Sequence, residues 1–312
     1  MKNSDSHHLL GLLTATLFIS TSGVLGKYIA MPTEVIIWFR SAFAMVFLYI
    51  FCKVKKISLK VHHAKTHLPL ILSSLFMAGH WITYFYALKL SNVALGMLSL
   101  YTFPMITSLL EPIFMKTTLN PIHLVLGTVV LTGLYILTPE VHFESSMTRG
   151  ILFGLFSALC YSIRILILKQ HVANFHGSML MCYQTTVITI VLIPVLFFLD
   201  LSAFSSQFPY LLLLGLLTTA IGHSLMVHSL KFFAASAATI ISSVQPVFGI
   251  ILAFFFLGEI PHVNTYIGGA LILSTVIVES IRSKKTTRLD GSYILIISLD
   301  IGKGSFQNFS HA

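Results

Sequence analysis

A chain of 312 residues with 56% hydrophobic and only 9% charged residues is not an ordinary soluble domain, because soluble domains carry about 25% charged residues. The formal charge of +9 does not indicate nucleic-acid binding, since most basic residues lie in short links between apolar segments. Cys52, Cys160 and Cys182 form no CxxC pattern and lie within or at the end of apolar segments, so we expect them to be packing residues. These features predict a polytopic membrane protein.

Ten segments are apolar enough to cross a bilayer, which takes about 20 residues. The first lacks a small-x-small cleavage site, which favours an uncleaved span. The expected fold is therefore an all-α integral membrane protein. The predicted spans are 8–26, 32–52, 67–88, 92–115, 121–138, 149–169, 178–199, 208–230, 234–257 and 262–281.

The lysines and arginines predict the orientation of the spans. With the N-terminus in the cytoplasm, 14 of the 19 fall on the cytoplasmic side, Lys27, Lys89 and Arg149 fall outside, and Arg40 and Arg164 lie within spans. Both termini are thus predicted to be cytoplasmic, with 282–312 as a polar, basic cytoplasmic tail. The minimal loops and the lack of a targeting segment favour a bacterial inner membrane.

The two halves of the chain share a pattern. Fifteen residues separate Lys89 from Pro104, and the same number separates Lys231 from Pro246. Five spans is an odd number, so the second half is predicted to be inverted relative to the first, as in many secondary transporters. Chance similarity between apolar helices is the alternative. The predicted repeats are 8–138 and 149–281.

Several short motifs occur along the chain in the order expected for one family: Trp38-Phe39-Arg40, Tyr84 to Lys89, Pro104, Leu257-Gly258-Glu259 and Gly268-Gly269. The chain thereby resembles the EamA-type transporters of the drug/metabolite transporter superfamily. The resemblance implies alternating access around a central cavity lined mainly by spans 1, 3, 4, 6, 8 and 9. The chain departs from the family pattern at Met115-Lys116-Thr117, where Leu-Gly-Glu is common, so no role is transferred to Thr117.

Three ionisable residues lie within predicted spans, where such groups suggest function. Counted along their helices, Glu111 and Arg164 lie at similar depth, so they are predicted to form an inner gate or a substrate-and-proton site. Arg40 is a separate candidate nearer the outer surface. The alternatives are that both arginines reach the headgroups and that Glu111 only ties helices together near Lys116.

Polar and aromatic residues concentrate near mid-depth and suit a small amphipathic solute. Each could instead be a packing residue. His80 and His223 could also exchange protons near neutral pH, and mid-span prolines predict a kink or hinge at the cavity. The candidates are His80, Trp81, Tyr84, Tyr101, Tyr161, His223 and Gln245, with Pro104 and Pro246 as the kinks.

The sequence favours a secondary transporter that moves a small metabolite, such as an amino acid or related amphipathic solute. Export and coupling to protons are the candidate mode. An intramembrane enzyme is disfavoured, because no Asp lies within a span and neither GxSG nor HExxH occurs. No cofactor, metal site or catalytic residue is predicted, and the expected partners are the solute and the bilayer. A non-transporting receptor or scaffold is the alternative.

Overall fold

The computed structural model describes residues 2–61, 64–116, 118, 121–137, 145–233, 235–275 and 277–278. Within these ranges all regular structure is helical. The predicted tail, 282–312, lies outside the described residues. The all-helical class is therefore confirmed for the part of the chain that is described.

Fourteen α-helices follow one another among the described residues, some of them parts of one interrupted span. A π-helix, Leu214–His223, joins α10 to α11. Short 3-10 segments occupy Val172–Asn174 and Ser242–Val244. The α-helices are α1 (Lys2–Tyr28), α2 (Thr33–Val54), α3 (Ala64–Leu90), α4 (Val93–Leu100), α5 (Phe103–Met115), α6 (Ile122–Leu137), α7 (Ser146–His171), α8 (Gly177–Val191), α9 (Val195–Phe198), α10 (Phe204–Leu213), α11 (Ser224–Ser229), α12 (Ala235–Ile241), α13 (Gln245–Leu257) and α14 (263–275).

Seven helical segments of the described chain are long and apolar enough to cross a membrane. Three further predicted spans contain shorter described helices: α6, α12 with α13, and α14. The seven segments are His8–Tyr28, Thr33–Val54, Ala64–Leu90, Val93–Met115, Ser146–Asn174, Gly177–Phe198 and Phe204–Ser229.

Large apolar side chains cover the outside of the helical bundle. Phe197, Phe198 and Phe255 are 79%, 84% and 75% exposed, and Ile260 is 80% exposed. Exposed apolar side chains in such number are rare on soluble monomers and are typical of an interaction surface or a membrane-facing one. With the spanning lengths, this exposure indicates that these side chains face lipid.

Helix α7 runs antiparallel to α3 through the centre of the bundle. A Cβ added at Gly150, near the start of α7, would lie 3.0 Å from Ser91 Cβ, just beyond the end of α3. Further along α7, Ser157 donates a hydrogen bond of 2.8 Å to the carbonyl oxygen of His80. From Gly150 to Lys169 the helix rises about 28 Å, so the bundle has two distant ends, hereafter the Lys27 end and the Lys169 end.

Gly154 allows α7 to pack closely against α4, because a Cβ at this position would lie 2.7 Å from Ser99 Cβ. Gly11, a glycine of α1, has no neighbouring atom within 4 Å of the corresponding point. We expect Gly154→Ala to lower the melting temperature of the purified protein, since overpacking costs about 1–3 kcal/mol. Gly11→Ala is the matched control and should leave the melting temperature unchanged or slightly higher, since alanine favours a helix. Equal effects of the two substitutions would contradict this account of the packing.

Both predicted mid-span prolines follow an interruption of the helix. Helix α4 ends at Leu100, and Pro104 lies in the first turn of α5. Helix α12 ends at Ile241, and Pro246 lies in the first turn of α13 after a 3-10 segment. Proline cannot donate the backbone bond that would continue a helix, which explains the breaks. A hinging role for these prolines remains a prediction.

Lys116, where the sequence departs from the family pattern, adopts the same backbone turn that Gly258 forms in the second half. Gly258 ends α13 in the left-handed conformation at φ 67°, and Lys116 ends α5 at φ 56°. The spacing between these two positions equals the spacing between Pro104 and Pro246. The left-handed conformation is costly for a residue with a side chain, so Lys116 maintains an unfavourable turn that glycine provides freely at Gly258.

Candidate functional site

A small cavity lies at the centre of the bundle, bordered by α1 to α5, α7, α13 and the π-helix. Its volume is about 20 Å³, which is room for about one water molecule. A solute can therefore be accommodated only when the surrounding helices move apart. Eight of the predicted site residues line the cavity: Arg40, His80, Trp81, Tyr84, Tyr101, Tyr161, His223 and Gln245.

Arg40 projects from α2 into the protein interior and is completely buried. Its Nε donates a hydrogen bond of 2.7 Å to Thr219 Oγ1, and its Nη1 donates one of 3.3 Å to Ser22 Oγ. The guanidinium carbon lies 4.0 Å from the centroid of the Trp81 ring, a favourable cation–π arrangement. The alternative that Arg40 reaches the headgroups is therefore wrong.

The π-helix positions Thr219 to accept the bond from Arg40. Thr218 and Thr219 each donate a hydrogen bond to the carbonyl oxygen of Leu214. Widened turns of this kind occur frequently at functional sites. His223, the last residue of the π-helix, borders the same cavity.

Arg164 of α7 is also completely buried, but it does not pair with Glu111. Its Nη2 donates to Gln184 Oε1 at 2.9 Å and to Met181 Sδ at 3.1 Å. Gln184 Nε2 in turn donates to Ser73 Oγ at 2.9 Å, which links α7, α8 and α3.

The predicted contact between Glu111 and Arg164 is thus absent. The alternative that Arg164 reaches the headgroups is also wrong, because the side chain is completely buried. Glu111 is partly exposed on α5 and does not border the cavity. Its carboxylate interacts electrostatically with Lys169 instead. Depth along the helices placed Glu111 and Arg164 together, but their side chains leave their helices in different directions.

Aromatic rings form much of the cavity wall. The Tyr161 ring lies 4.5 Å from His80 and 4.9 Å from Phe103, measured between centroids. The Trp81 and His223 rings are 5.5 Å apart. His80 Nδ1 is 2.7 Å from Ser157 Oγ, whereas Arg40 Nη2, Trp81 Nε1 and His223 Nδ1 are buried without a hydrogen-bond partner.

Sequence reasoning missed several residues that hold the two arginines. Gln184 could have been found, because a lone amide in an apolar span needs a polar partner. The Thr218-Thr219 pair was a weaker signal, and Ser22 and Met181 gave none.

The two ends of the bundle carry matching lysines, which we call the lysine clasps. Lys27 Nζ donates 2.7 Å hydrogen bonds to the carbonyl oxygens of Leu88 and Ser91, at the end of α3 and just beyond it. Lys169 Nζ, on α7, donates 2.8 Å bonds to the carbonyl oxygens of two residues just past α11. Those residues are Leu230 and Phe233.

Glu259 adds a contact at the Lys27 end. Its Oε2 accepts a 2.8 Å hydrogen bond from the backbone N–H of Val93, the first residue of α4. Its carboxylate also interacts electrostatically with Lys27. A second cavity of about 230 Å³ lies here, between the start of α4 and the end of α13, and Asn92 and Glu259 are among its lining residues.

Among the described residues, no three His, Cys, Asp or Glu side chains lie close enough to hold a metal ion. Cys52, Cys160 and Cys182 are buried free thiols. The lining of the central cavity carries hydrogen-bonding side chains, aromatic rings and the Arg40 guanidinium group.

Comparisons with known proteins agree with this architecture. The EamA-like transporter family matches the chain twice, over residues 8–138 and 148–280. A solved crystal structure with 18% sequence identity superposes with a TM-score of 0.69, covering 90% of this chain and 99% of the other. That likeness supports the fold.

Curated relatives bear transporter names. An uncharacterized transporter of Archaeoglobus fulgidus is 29% identical over 202 residues, which is 63% of this chain and 70% of that protein. The pseudopaline exporter CntI of Pseudomonas aeruginosa is 24% identical over 283 residues, 88% of this chain and 97% of its own length. The uncharacterized transporter YxxF of Bacillus subtilis is 22% identical over 286 residues, 88% of this chain and 89% of that protein.

The spanning helices, the central cavity and the two family matches lead to one conclusion, and the predicted resemblance is confirmed. The chain belongs to the EamA-like transporter family and is an integral membrane transporter.

Proposed function

We propose that the protein is a secondary transporter with ten spans in two inverted five-helix repeats, 8–138 and 149–281. It moves a small metabolite, such as an amino acid or related amphipathic solute, by alternating access. Export is the favoured direction and protons are the candidate coupling ion. Both termini are cytoplasmic, in a bacterial inner membrane.

The lysine clasps carry this proposal. One constant offset along the sequence relates the residues of the two clasps, and it equals the offset between Pro104 and Pro246. It pairs Lys27 with Lys169, Leu88 with Leu230, and Ser91 with Phe233. The same three-atom arrangement therefore forms once in each half, with nearly equal distances. The two clasps lie at opposite ends of the bundle, which supports an inverted relation between the halves, as in many secondary transporters that work by alternating access.

The central cavity is lined by residues from equivalent positions in the two halves. Trp81 and His223 are separated by the same offset, and their rings are in contact. Other cavity residues form equivalent pairs with this offset: Ile19 with Tyr161, and Phe103 with Gln245. A binding site shared by both repeats near the midplane is the usual arrangement in secondary transporters.

The helix breaks before Pro104 and Pro246 support the same site. Each break interrupts the regular helix, and within a membrane irregular backbone is tolerated where it is buried in protein or lines a cavity. Tyr101 lies in the first break, and Gln245 directly follows the second. The name of the Pseudomonas relative supports export.

Counterflow in proteoliposomes tests transport directly. Vesicles are loaded with a pool of amino acids, organic acids, nucleosides or organic cations, and uptake of a labelled member of the same pool is followed, with a pH-sensitive dye inside. We expect one pool to accelerate uptake relative to protein-free vesicles, and a solute-dependent pH change would support coupling to protons. Uptake equal to that of protein-free vesicles with every pool would favour the receptor or scaffold alternative.

The inverted repeat predicts opposite accessibility of two equivalent lysines. Lys89→Cys and Lys231→Cys are each introduced after the three native cysteines are replaced by serine. An impermeant thiol reagent is expected to label position 89 only from outside the cell and position 231 only from inside. Labelling of both from the same side would disprove the inversion.

A further inference from the structure

Two arginines beside the central cavity have only neutral partners in the described part of the chain. Arg40 and Arg164 are both completely buried. The oxygens that accept their hydrogen bonds belong to hydroxyl and amide groups, those of Ser22, Thr219 and Gln184. A guanidinium keeps its charge at neutral pH, and a buried charge without an opposite charge is costly. This interior is therefore complementary to a negative charge.

Unused hydrogen-bond donors lie around the same cavity. Nη2 of Arg40 and Nε1 of Trp81 are buried and have no partner. Both residues line the cavity. Nε and Nη1 of Arg164 are also buried without a partner. The planar fork of a guanidinium matches the two oxygens of a carboxylate, so Arg40 can hold such a group while keeping its bond to Thr219.

A row of rings connects the two guanidinium groups. The Arg40 guanidinium carbon lies 4.0 Å from the Trp81 centroid, and the Trp81 and His223 centroids are 5.5 Å apart. The row continues from His223 to Tyr161 over 6.4 Å, and the Arg164 guanidinium carbon lies 5.5 Å from the Tyr161 centroid. A solute between the arginines would thus contact aromatic rings, which favour a flat or apolar body.

The cavity offers a cation aromatic rings but no acidic group from its described lining. Its lining includes no aspartate or glutamate among the described residues. The carboxylates of Glu111 and Glu259 instead interact with lysines at the two ends of the bundle. An ammonium group in the cavity would meet two positive charges and no negative one, so a cation or a zwitterion is disfavoured relative to an anion.

We propose that the solute is a small organic anion whose carboxylate binds to Arg40. The Arg164 guanidinium group, which lies near the Tyr161 ring, attracts the same negative charge. This inference rests on the proposed transport function and narrows its substrate class to amphipathic solutes with a net negative charge, in place of a zwitterionic amino acid. It assigns to the two arginines a role in selecting the charge of the solute.

The test compares carboxylates with amines of matched shape. The pairs are phenylacetate with phenethylamine, indole-3-acetate with tryptamine, and succinate with putrescine, and inorganic phosphate is an anion without an apolar body. We expect at least one carboxylate to raise the melting temperature of the purified protein by about 3 °C or more at saturation, while its amine has no effect. Equal shifts by the amines, a phosphate shift as large as the best carboxylate shift, or no shift with any carboxylate would overturn the proposal.

Arg40→Met tests the assignment of the residue. This substitution removes a buried charge, and the hydroxyls of Ser22 and Thr219 that it leaves can bond to backbone carbonyls. The variant without ligand should therefore melt at the same or a higher temperature than the unmodified protein. The carboxylate-dependent shift should disappear, and Arg40→Lys should retain part of it because the charge remains without the fork. A full shift in Arg40→Met would exclude Arg40 as the binding group.

Counterflow of the stabilising carboxylate separates this inference from the transport proposal. Binding that depends on Arg40 without any counterflow would support the anion site and contradict transport. Counterflow of another solute, unaffected by Arg40→Met, would support transport and contradict the anion site.

Discussion

Gln184→Leu is expected to destabilise the protein by about 3 kcal/mol or more. Gln184 provides the oxygen that accepts the hydrogen bond from Arg164, at 2.9 Å in a completely buried position. Leucine would remove this amide oxygen and leave the guanidinium with the weak acceptor Met181 Sδ and the neutral hydroxyl of Tyr161. Denaturant titration in mixed micelles measures the loss as a lower midpoint.

The reason for this loss is the unpartnered charge, and the double variant isolates it. Gln184→Leu with Arg164→Met replaces the polar pair by apolar side chains and should recover most of the stability, as replaced buried pairs often do. Thr185→Val, one position along α8, is the matched control. Its buried hydroxyl bonds only to backbone carbonyl oxygens within the helix, with Met181 as the nearer acceptor, so a change of about 1 kcal/mol is expected. A double variant as unstable as Gln184→Leu would show that shape rather than charge determines the effect.

Crosslinking position 93 to position 259 is expected to abolish transport. The hydrogen bond from Val93 N–H to the Glu259 carboxylate joins the start of α4 to the segment after α13, and these belong to different halves of the chain. A covalent link there would keep the Lys27 end closed, so the solute could no longer leave the cavity on that side. Flux through V93C/E259C treated with a short bifunctional thiol reagent should fall to that of protein-free vesicles.

A link within one half is the control for this experiment. The Tyr86 hydroxyl donates a 2.6 Å hydrogen bond to Glu34 Oε1, and both residues lie in the first half. The same treatment of E34C/Y86C should leave flux unchanged, because the two positions move together. Continued flux in crosslinked V93C/E259C would show that the Lys27 end opens without separating α4 from α13.

Much of the architecture could be predicted because it depends on one-dimensional patterns. Segment length and apolarity predicted the membrane-length helices, and the restricted backbone of proline predicted the breaks before Pro104 and Pro246. Polar aromatic residues in apolar spans identified most of the cavity wall, including Trp81, Tyr161 and His223. These signals require no knowledge of which way a helix faces.

The contacts of the charged residues could not be predicted in the same way. The depth of a residue follows from the constant rise of its helix, but its direction around the helix axis depends on how the helices pack. Glu111 and Arg164 therefore agreed in depth and still found different partners. The π-helix that positions Thr219 was equally hidden, because hydroxyl bonds to Leu214 leave no pattern in hydropathy.

The two buried arginines also have an electrical consequence. Moving a positive charge from the outer to the inner side of a membrane lowers its energy by about 2.3 kcal/mol per 100 mV of inside-negative potential. In alternating access, the potential would therefore favour the empty form whose cavity opens to the cytoplasm, and each negative charge brought by the solute would cancel part of this preference. The membrane voltage would then favour the return of the empty transporter to the form that opens to the cytoplasm. It would have a smaller effect on the transporter with bound solute.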